Sequence, residues 1–499
     1  MRKLFILLTI IAGMFSSCEK ELDQIPLSSA STLTFYASTN DFLQGAIAMY
    51  SALRGYPDRQ LNLSETRSDN LYAVSDGGVR DWEGINSFHR TISSNVYVTE
   101  AWTANFNGIF TANILLDQLK QKGDVIADPV LRNRLEAEAR FLRAFYYFDL
   151  VRWFGKVPLV DHPLTATEAV SIPRSPVAEV YNLIIADLEF AADNLPESYE
   201  AKDRGKATKF AAKGILALVY MTRSGPTYSI EGPGLGLNEW ALAVPLLNDI
   251  IASPRFSFLP SYSNIFSYTN ENNAEVIFDV QYSSGSNPVV GATFPWVLVP
   301  DRYFESIGKA RQGGVTIRPV SNDLMSKYEA GDTRQGFSIK NGYVFNGVQE
   351  DGSFFQKYVD ITKVPANRVD WPINFIVMRY TDILLLKAEC VLHGAAGSQS
   401  ADVDAVVNQV RARGGLTSPK ANINLDQLME ERRKEFAAEG LRWHDLVRNG
   451  TVESTMTAWI AKDDVLKQIQ PFQKNYIIYP VPQAELDVKQ GLYIQNSGY

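Results

Sequence analysis

Two carboxylates spaced four residues apart, Glu435 and Glu439, stand among basic side chains in the run Glu430-Glu431-Arg432-Arg433-Lys434-Glu435-Phe436-Ala437-Ala438-Glu439-Gly440-Leu441-Arg442-Trp443-His444-Asp445-Leu446. A glycosidase needs two carboxyl groups about 5–10 Å apart, one of them holding a proton. The spacing of Leu425, Leu428, Met429 and Phe436 predicts a helix from Leu425 to Glu439, with Arg432, Glu435 and Glu439 on or beside its buried stripe. Neighbouring arginines would keep both carboxylates ionised and leave neither as a proton donor. An unpaired buried charge is very costly. The run is therefore read as a structural ion-pair network, continued by Arg442, Trp443 and Asp445 after a turn at Gly440.

Other catalytic templates are missing. There is no Gly-x-Ser-x-Gly elbow, no phosphate loop ending in Gly-Lys-Ser/Thr and no His-Glu-x-x-His. Gly232-Pro233-Gly234-Leu235-Gly236 resembles a dinucleotide loop only superficially, because no strand precedes it and Pro233 lies inside it; it reads as a surface loop. His89, His162, His393 and His444 share no metal-ligand spacing. Asp and Asn are plentiful in loops, so a calcium site is compatible with the sequence without being locatable. No cofactor is implied, and the chain is not expected to be an enzyme.

Binding chemistry is better represented. Sugar rings expose C–H faces that stack on indole and phenol rings, while flanking polar groups bind hydroxyls. Trp102, Trp153, Trp240, Trp443 and Trp459 lie on helical stretches and read as packing residues. Trp82, Trp296 and Trp371 lie in apparent loops. Trp82 follows a polar, Gly-rich stretch, and upstream lies Glu65-Thr66-Arg67-Ser68-Asp69-Asn70-Leu71-Tyr72; Trp296 precedes Asp301, Arg302, Tyr303 and Phe304. The expected contacts are Trp82, Trp296 and Tyr303 for stacking, with Arg67, Asp69 and Asn70 for polar recognition.

The N-terminus carries Arg2 and Lys3, an apolar run from Leu4 to Phe15, then Ser16-Ser17-Cys18. About a dozen apolar residues is too short to span a bilayer, which takes about 20. The pattern is a secretory signal, and Phe15-Ser16-Ser17-Cys18 resembles a bacterial lipobox with Cys18 as the acylated first residue. Multiple acyl chains would anchor stably where one would not. The expected division is a signal over 1–17, a flexible tether over 18–35 and one domain over 36–499. With Cys18 acylated, the only other cysteine, Cys390, has no intramolecular partner. A chain of 499 residues can rely on core size instead of disulfides. The formal charge is −8 and falls to about −10 once Arg2 and Lys3 leave with the signal. That balance gives no footprint for nucleic acid and mildly disfavours polyanions, although a local basic pocket could override it.

Helical periodicity dominates 36–253 and 376–499. Helices are expected at Asp41–Leu53, Thr99–Lys122, Val130–Phe154, Val177–Leu195, Thr208–Thr222, Glu239–Ala252, Arg379–His393, Asp402–Arg413 and Leu441–Arg448, before an extended Tyr476–Pro482. The region 254–375 reads as long loops with small strands, Ala274–Tyr282 among them. Segments beginning at Arg140, Lys209 and Ile383 each mix small and large residues on one helix, which suits close-packed helix pairs of tetratricopeptide type. The fold class is mostly α: irregular tetratricopeptide-like helix pairs with a loop-rich middle region containing short strands.

Several motifs together resemble the SusD/RagB family. They are Met378-Arg379-Tyr380-Thr381-Asp382-Ile383-Leu384-Leu385-Leu386-Lys387-Ala388-Glu389, Asn408-Gln409-Val410-Arg411-Ala412-Arg413-Gly414-Gly415-Leu416, the Glu431 to Asp445 stretch and the ending Gln495-Asn496-Ser497-Gly498-Tyr499. Glu138-Ala139-Arg140-Phe141-Leu142-Arg143-Ala144 with Phe154-Gly155-Lys156-Val157-Pro158-Leu159 is similar to the family's N-terminal half, so the resemblance covers essentially the whole mature chain. Ser497 departs from the family's usual proline. The resemblance implies a non-enzymatic lipoprotein, lipid-anchored at the outer membrane and surface-exposed. Such a protein captures oligosaccharide and delivers it to a SusC-like TonB-dependent transporter. A peptide- or protein-binding nutrient receptor on the same scaffold is the alternative, and burial of both Trp82 and Trp296 would favour it. A ligand-free assembly scaffold fits poorly with the long middle region.

Overall fold

The computed structural model describes residues 35–73, 80–312, 318–395 and 400–499. The signal, Cys18 and most of the tether lie outside the described residues. Helix α1 (Thr39–Tyr50) starts at Ser38, whose hydroxyl and the Asp41 carboxylate cap each other's backbone amides. Asn95 caps α2 (Val96–Lys122), and Asp128 caps α3 (Pro129–Phe154), which has proline at its first position and Gly155 with φ +66° just past its end. Next come α4 (Val177–Asn194), α5 (Lys209–Ser224) and α6 (Trp240–Ile251). After the middle region the chain forms α7 (Tyr380–Leu392), α8 (Ser400–Arg413), α9 (Leu425–Glu435), α10 (Arg442–Arg448) and α11 (Val452–Asp463).

Successive helices lie side by side: α2 on α3, α3 on α4, α4 on α5, α5 on α6, then α6 on α7 and α7 on α8. This is the expected tetratricopeptide-like stack, and the three segments with mixed small and large residues fall on α3, α5 and α7. Gly108 on α2 shows why small residues matter here. A Cβ at that position would sit 2.4 Å from the Tyr146 ring of α3. The α3 helix is buried almost all round from Leu135 to Phe154, so it is the spine of the core. Among the described residues no helix is long and apolar enough to cross a membrane.

The middle region is tied off by two antiparallel strands, β1 (Val276–Val280) and β4 (Phe375–Arg379), in register Val276↔Arg379 and Val280↔Phe375. Inside it, β2 (Ile339–Phe345) and β3 (Val348–Phe355) form a hairpin. Its turn, Asn346-Gly347, has φ +50° and +78°, the left-handed pair that an Asn-Gly hairpin turn requires. That dipeptide between apolar residues was a legible hairpin signal, and the reading of long loops passed over it.

Three expectations need correction. The α9 helix ends at Glu435 rather than Glu439, because Ala438 (φ +66°) and Gly440 (φ +75°) turn the chain out of the helix. A Cβ on Gly440 would also meet the Gln60 side chain at 2.7 Å, so the turn is held close against the N-terminal segment. Of the run Gly232–Gly236, only its end is at the surface: Gly236 is exposed, but Gly232, Pro233 and Gly234 are buried, and Pro233 O accepts the Tyr181 hydroxyl at 2.9 Å. The stretch from Tyr476 begins in a short turn over Lys474–Ile477 before it extends. The α11 helix carries Trp459, on the helical stretch expected for it.

Candidate ligand-binding site

The segment after α1 descends through a tight turn, Ser51–Gly55, into short helical turns at Tyr56–Arg59 and Gln60–Glu65. Buried hydrogen bonds fix it from below. The Glu65 carboxylate accepts the backbone amides of Ala438 and Gly440, each at 3.0 Å, and the Asn70 amide at 2.8 Å. Asn86 then fastens the short helix Asp81–Asn86 to the same segment, donating to Thr66 O and Leu71 O and accepting from Ala73 N. That helix carries Trp82. Opposite, backbone bonds from Tyr72 N to Pro319 O and from Ser321 N to Asn70 O hold the extended segment bearing Arg318, bridged at Leu71↔Val320.

A loop of the middle region closes the far wall. Ala292 and Trp371 exchange backbone hydrogen bonds at 2.9 and 3.1 Å. Gly291 lies so near Asp370 that a Cβ would be 2.3 Å from its Cα. Trp296 sits in the turn that follows. Two side chains reach across to the scaffold: Thr293 Oγ1 donates to Asp58, and the Tyr282 hydroxyl donates to Arg54 O.

Between these walls is an open cleft of about 610 Å³. Trp82 and Trp296 both line it, with Tyr97 and Tyr282 as further rings and Arg54, Asp58, Asn62, Glu100, Thr293 and Arg318 as polar groups. Trp82 is 9% exposed and Trp296 is half-buried, so the two are not both sealed in the core. Arg318 lies 4.4 Å over the Trp82 ring, and Arg368 lies 5.4 Å over that of Trp296. Burial pushes the Asp58 carboxyl up to about 7, with Glu100 adding to the rise and the Thr293 hydroxyl opposing it. Burial lowers Arg318 to about 10, against the effects of Tyr97 and Asp81. A second recess, about 650 Å³, lies beside α2 and α3 but is lined by no Trp, Tyr or Phe. It therefore offers no stacking platform.

The other four expected contacts sit elsewhere. Arg67 is fully buried among Phe88, Trp443 and Tyr479 and donates to Tyr476 O at 2.6 Å and the Tyr499 hydroxyl at 2.9 Å. Asp69 accepts two hydrogen bonds from Arg442, both 2.8 Å, and pairs with Arg433 at 3.1 Å. Burial pushes the Asp69 carboxyl up, yet those two guanidiniums prevail and hold it at about 2. Asn70 joins Glu65 to Arg433. These three lock the segment beneath the cleft. Tyr303 is buried in the middle region, packed on Phe354 and Tyr343. Trp371 is wholly buried.

Glu435 and Glu439 form the expected ion-pair network. Glu435 pairs with Arg334, Arg379 and Arg413 at 3.1, 2.8 and 2.5 Å, and Glu439 with Lys357 and Arg379 at 2.6 and 2.9 Å. Burial alone would raise the Glu435 carboxyl, but Arg413, Arg379 and Arg334 hold it well below the usual carboxylate range. Among the described residues no three His, Cys, Asp or Glu side chains are grouped to hold a metal ion.

Two family models match the chain: one described as starch-binding and associating with the outer membrane, over residues 22–221, and the SusD family, over residues 340–499. SusD-like protein P25 of Formosa agariphila is 25% identical over 97% of both chains. The surface glycan-binding protein A of Bacteroides thetaiotaomicron, solved in complex with laminarihexaose, superposes with a TM-score of 0.78 at 23% identity, covering 93% of this chain and all of that one. A laminarin-binding SusD-like protein superposes with a TM-score of 0.74 at 27% identity and the same coverage. The chain belongs to the SusD/RagB family, a family of binding proteins.

Proposed function

We propose that this protein captures oligosaccharide at the cell surface in the cleft between Trp82 and Trp296 and hands it to a SusC-like TonB-dependent transporter. The observation that carries the reading is the convergence of these two indoles, more than 200 residues apart in sequence, on one open cleft that also bears Asp58, Asn62, Glu100 and Arg318. Rings supply stacking platforms for sugar C–H faces, and the polar groups supply partners for hydroxyls. Laminarin and laminarihexaose binding by the two structural relatives favours a glycan over a peptide. So does the half-exposed state of Trp296. The contact set keeps Trp82 and Trp296 and takes Tyr97, Tyr282, Asn62 and Arg318 in place of Arg67, Asp69, Asn70 and Tyr303. The protein acts by binding and not by turnover. Its anchor is a lipid on Cys18, with 18–35 as tether and 36–499 as the binding domain.

Calorimetric titration against a panel of oligosaccharides tests the site. Trp296→Ala is expected to weaken binding about tenfold, the loss of one stacking surface, with little change in the unfolding midpoint. Full affinity in both Trp82→Ala and Trp296→Ala would reject the cleft. Labelled palmitate that incorporates into the natural chain and not into Cys18→Ala would support the anchor; equal labelling of the two would reject it.

A further inference from the structure

Among the described residues, no carboxylate hydrogen-bonds to the guanidiniums around the cleft. Arg318 is 2% exposed, and among the described residues its guanidinium hydrogen-bonds only to neutral groups, with the Asp81 carboxylate acting on it from further off. Nη1 donates to Asn62 Oδ1 at 2.8 Å and to Thr66 Oγ1 at 3.2 Å, and Nη2 donates to the Tyr97 hydroxyl at 3.4 Å. Its Nε has no partner among those residues. Arg59, directly beneath, is equally buried; its nearest carboxylate, Asp149, is 4.0 Å away, and none of its three guanidinium nitrogens makes a hydrogen bond among the described residues. A Cβ on Gly55, a residue of the cleft wall, would lie 2.8 Å from Arg59 Nη1. So this second guanidinium underlies the same surface. Two exposed arginines complete the set, Arg54 in the wall and Arg368 over Trp296.

Against these four stand Asp58 and Glu100 in the wall, Asp81 acting on Arg318, and Asp149, which Arg59 shares with Arg152. Asp58 is part-protonated near neutral pH, because burial and Glu100 raise it to about 7. Leaving a buried guanidinium with unfilled hydrogen bonds is unfavourable; Arg379 is paired with Glu435 and Glu439, and Arg67, which has no carboxylate, donates to Tyr476 O and the Tyr499 hydroxyl. A positive, poorly solvated wall concentrates anions even on a protein whose net charge is negative.

We infer that the cleft selects acidic glycans, oligosaccharides bearing carboxylate or sulfate groups, over neutral ones of the same length. The inference rests on the glycan-binding reading above. The anionic substituent meets the guanidinium wall while the ring faces stack on Trp82 and Trp296. Arg318, already engaged with Asn62, Thr66 and Tyr97, acts mainly through its field. Arg54 and Arg368 are free to move onto the ligand.

The test compares a neutral laminarihexaose with a hexagalacturonate and a sulfated galactan hexasaccharide, by titration at 20 mM and 200 mM NaCl. The two acidic arms separate carboxylate from sulfate recognition. At low salt at least one acidic hexasaccharide is expected to bind about tenfold tighter than the neutral one and to lose several-fold at high salt, as screening requires. Arg54→Gln and Arg368→Gln, both exposed, should each weaken acidic binding about threefold, clearly more than they weaken neutral binding, and should flatten the salt dependence. They keep the test decisive if Arg318→Gln fails to fold. Neutral binding that equals or exceeds acidic binding, with no salt or arginine dependence, would overturn this inference and leave the glycan reading standing. Binding of none of the three would overturn this inference, and silence across the wider oligosaccharide panel as well would overturn both.

Discussion

Two charged regions of this molecule follow opposite rules. Around Glu435, carboxylates and guanidiniums are matched almost one for one and sealed from water: Arg334 with Asp332 and Glu431, Arg432 with Asp382 and Asp445, Arg448 with Glu389 and Asp445. Around Trp82 and Trp296, among the described residues, no carboxylate hydrogen-bonds to the arginines, and the walls are partly open. The first arrangement knits α7, α8 and α9 to the middle region and to the segment beneath the cleft. Such pairing is high-stakes, because removing one partner leaves the others buried and uncompensated. The second arrangement forgoes local stability in a place where a ligand can supply what is missing. Dense mutual pairing of charges thus marks the architectural region, and exposed arginines without a close carboxylate mark the cleft.

The largest test of that contrast is Glu435→Ala. It strips a partner from Arg334, Arg379 and Arg413 together, and we expect unfolding free energy to fall by about 3–5 kcal/mol in a denaturant titration. A loss below about 1 kcal/mol would remove the structural meaning of the network.

Acid titration comes next. Asp69 is held at about 2 when folded, below its ordinary value of 3.8. Its contribution is therefore fully present above about pH 4 and is lost as pH falls towards 2. The expected loss is about 2 kcal/mol, absent in Asp69→Asn, which starts from a less stable baseline.

Asp58 should show the reverse sign. Its folded value, about 7, lies above the ordinary 3.8, so the folded state keeps a proton that the unfolded chain gives up. Stability should decline as pH rises from about 4 to 7 and level off beyond. Because Asp58 is partly exposed, solvent screening reduces the effect to about 1 kcal/mol, the smallest of the three. Asp58→Asn should flatten the decline. Opposite slopes at Asp69 and Asp58 would sharpen the comparison, and like slopes would break it.

The helical half of this fold was legible because it is local. A wide apolar face, an Asp-Pro start and a Gly stop define α3 within its own residues, and the structure moves its boundary by one position. The ion-pair reading of Glu435 and Glu439 was legible too, since arginines at helical spacing around carboxylates argue against proton donation. The cleft was only half legible. Loop placement singled out Trp82 and Trp296, and they do meet. Arg67, Asp69 and Asn70 have the same polar character as ligand contacts, yet long-range partners near the C-terminus, Arg433, Arg442 and Tyr499, pull them into the interior. No window of sequence contains those partners. Arg318 and Asp58 were missed for the same reason: neither has a local motif, and each acquires its role only when 54–62, 82–100, 282–297 and 318 are brought together. Burial, set by tertiary packing, decided which polar residues face the cleft.

A crystal structure with a bound oligosaccharide tests the central claim most directly. The account predicts sugar rings against Trp82 and Trp296, with hydroxyls or acidic substituents towards Asn62, Tyr97 and the arginines. Saccharide seated instead in the recess beside α2 and α3, with the cleft left to solvent, would contradict it.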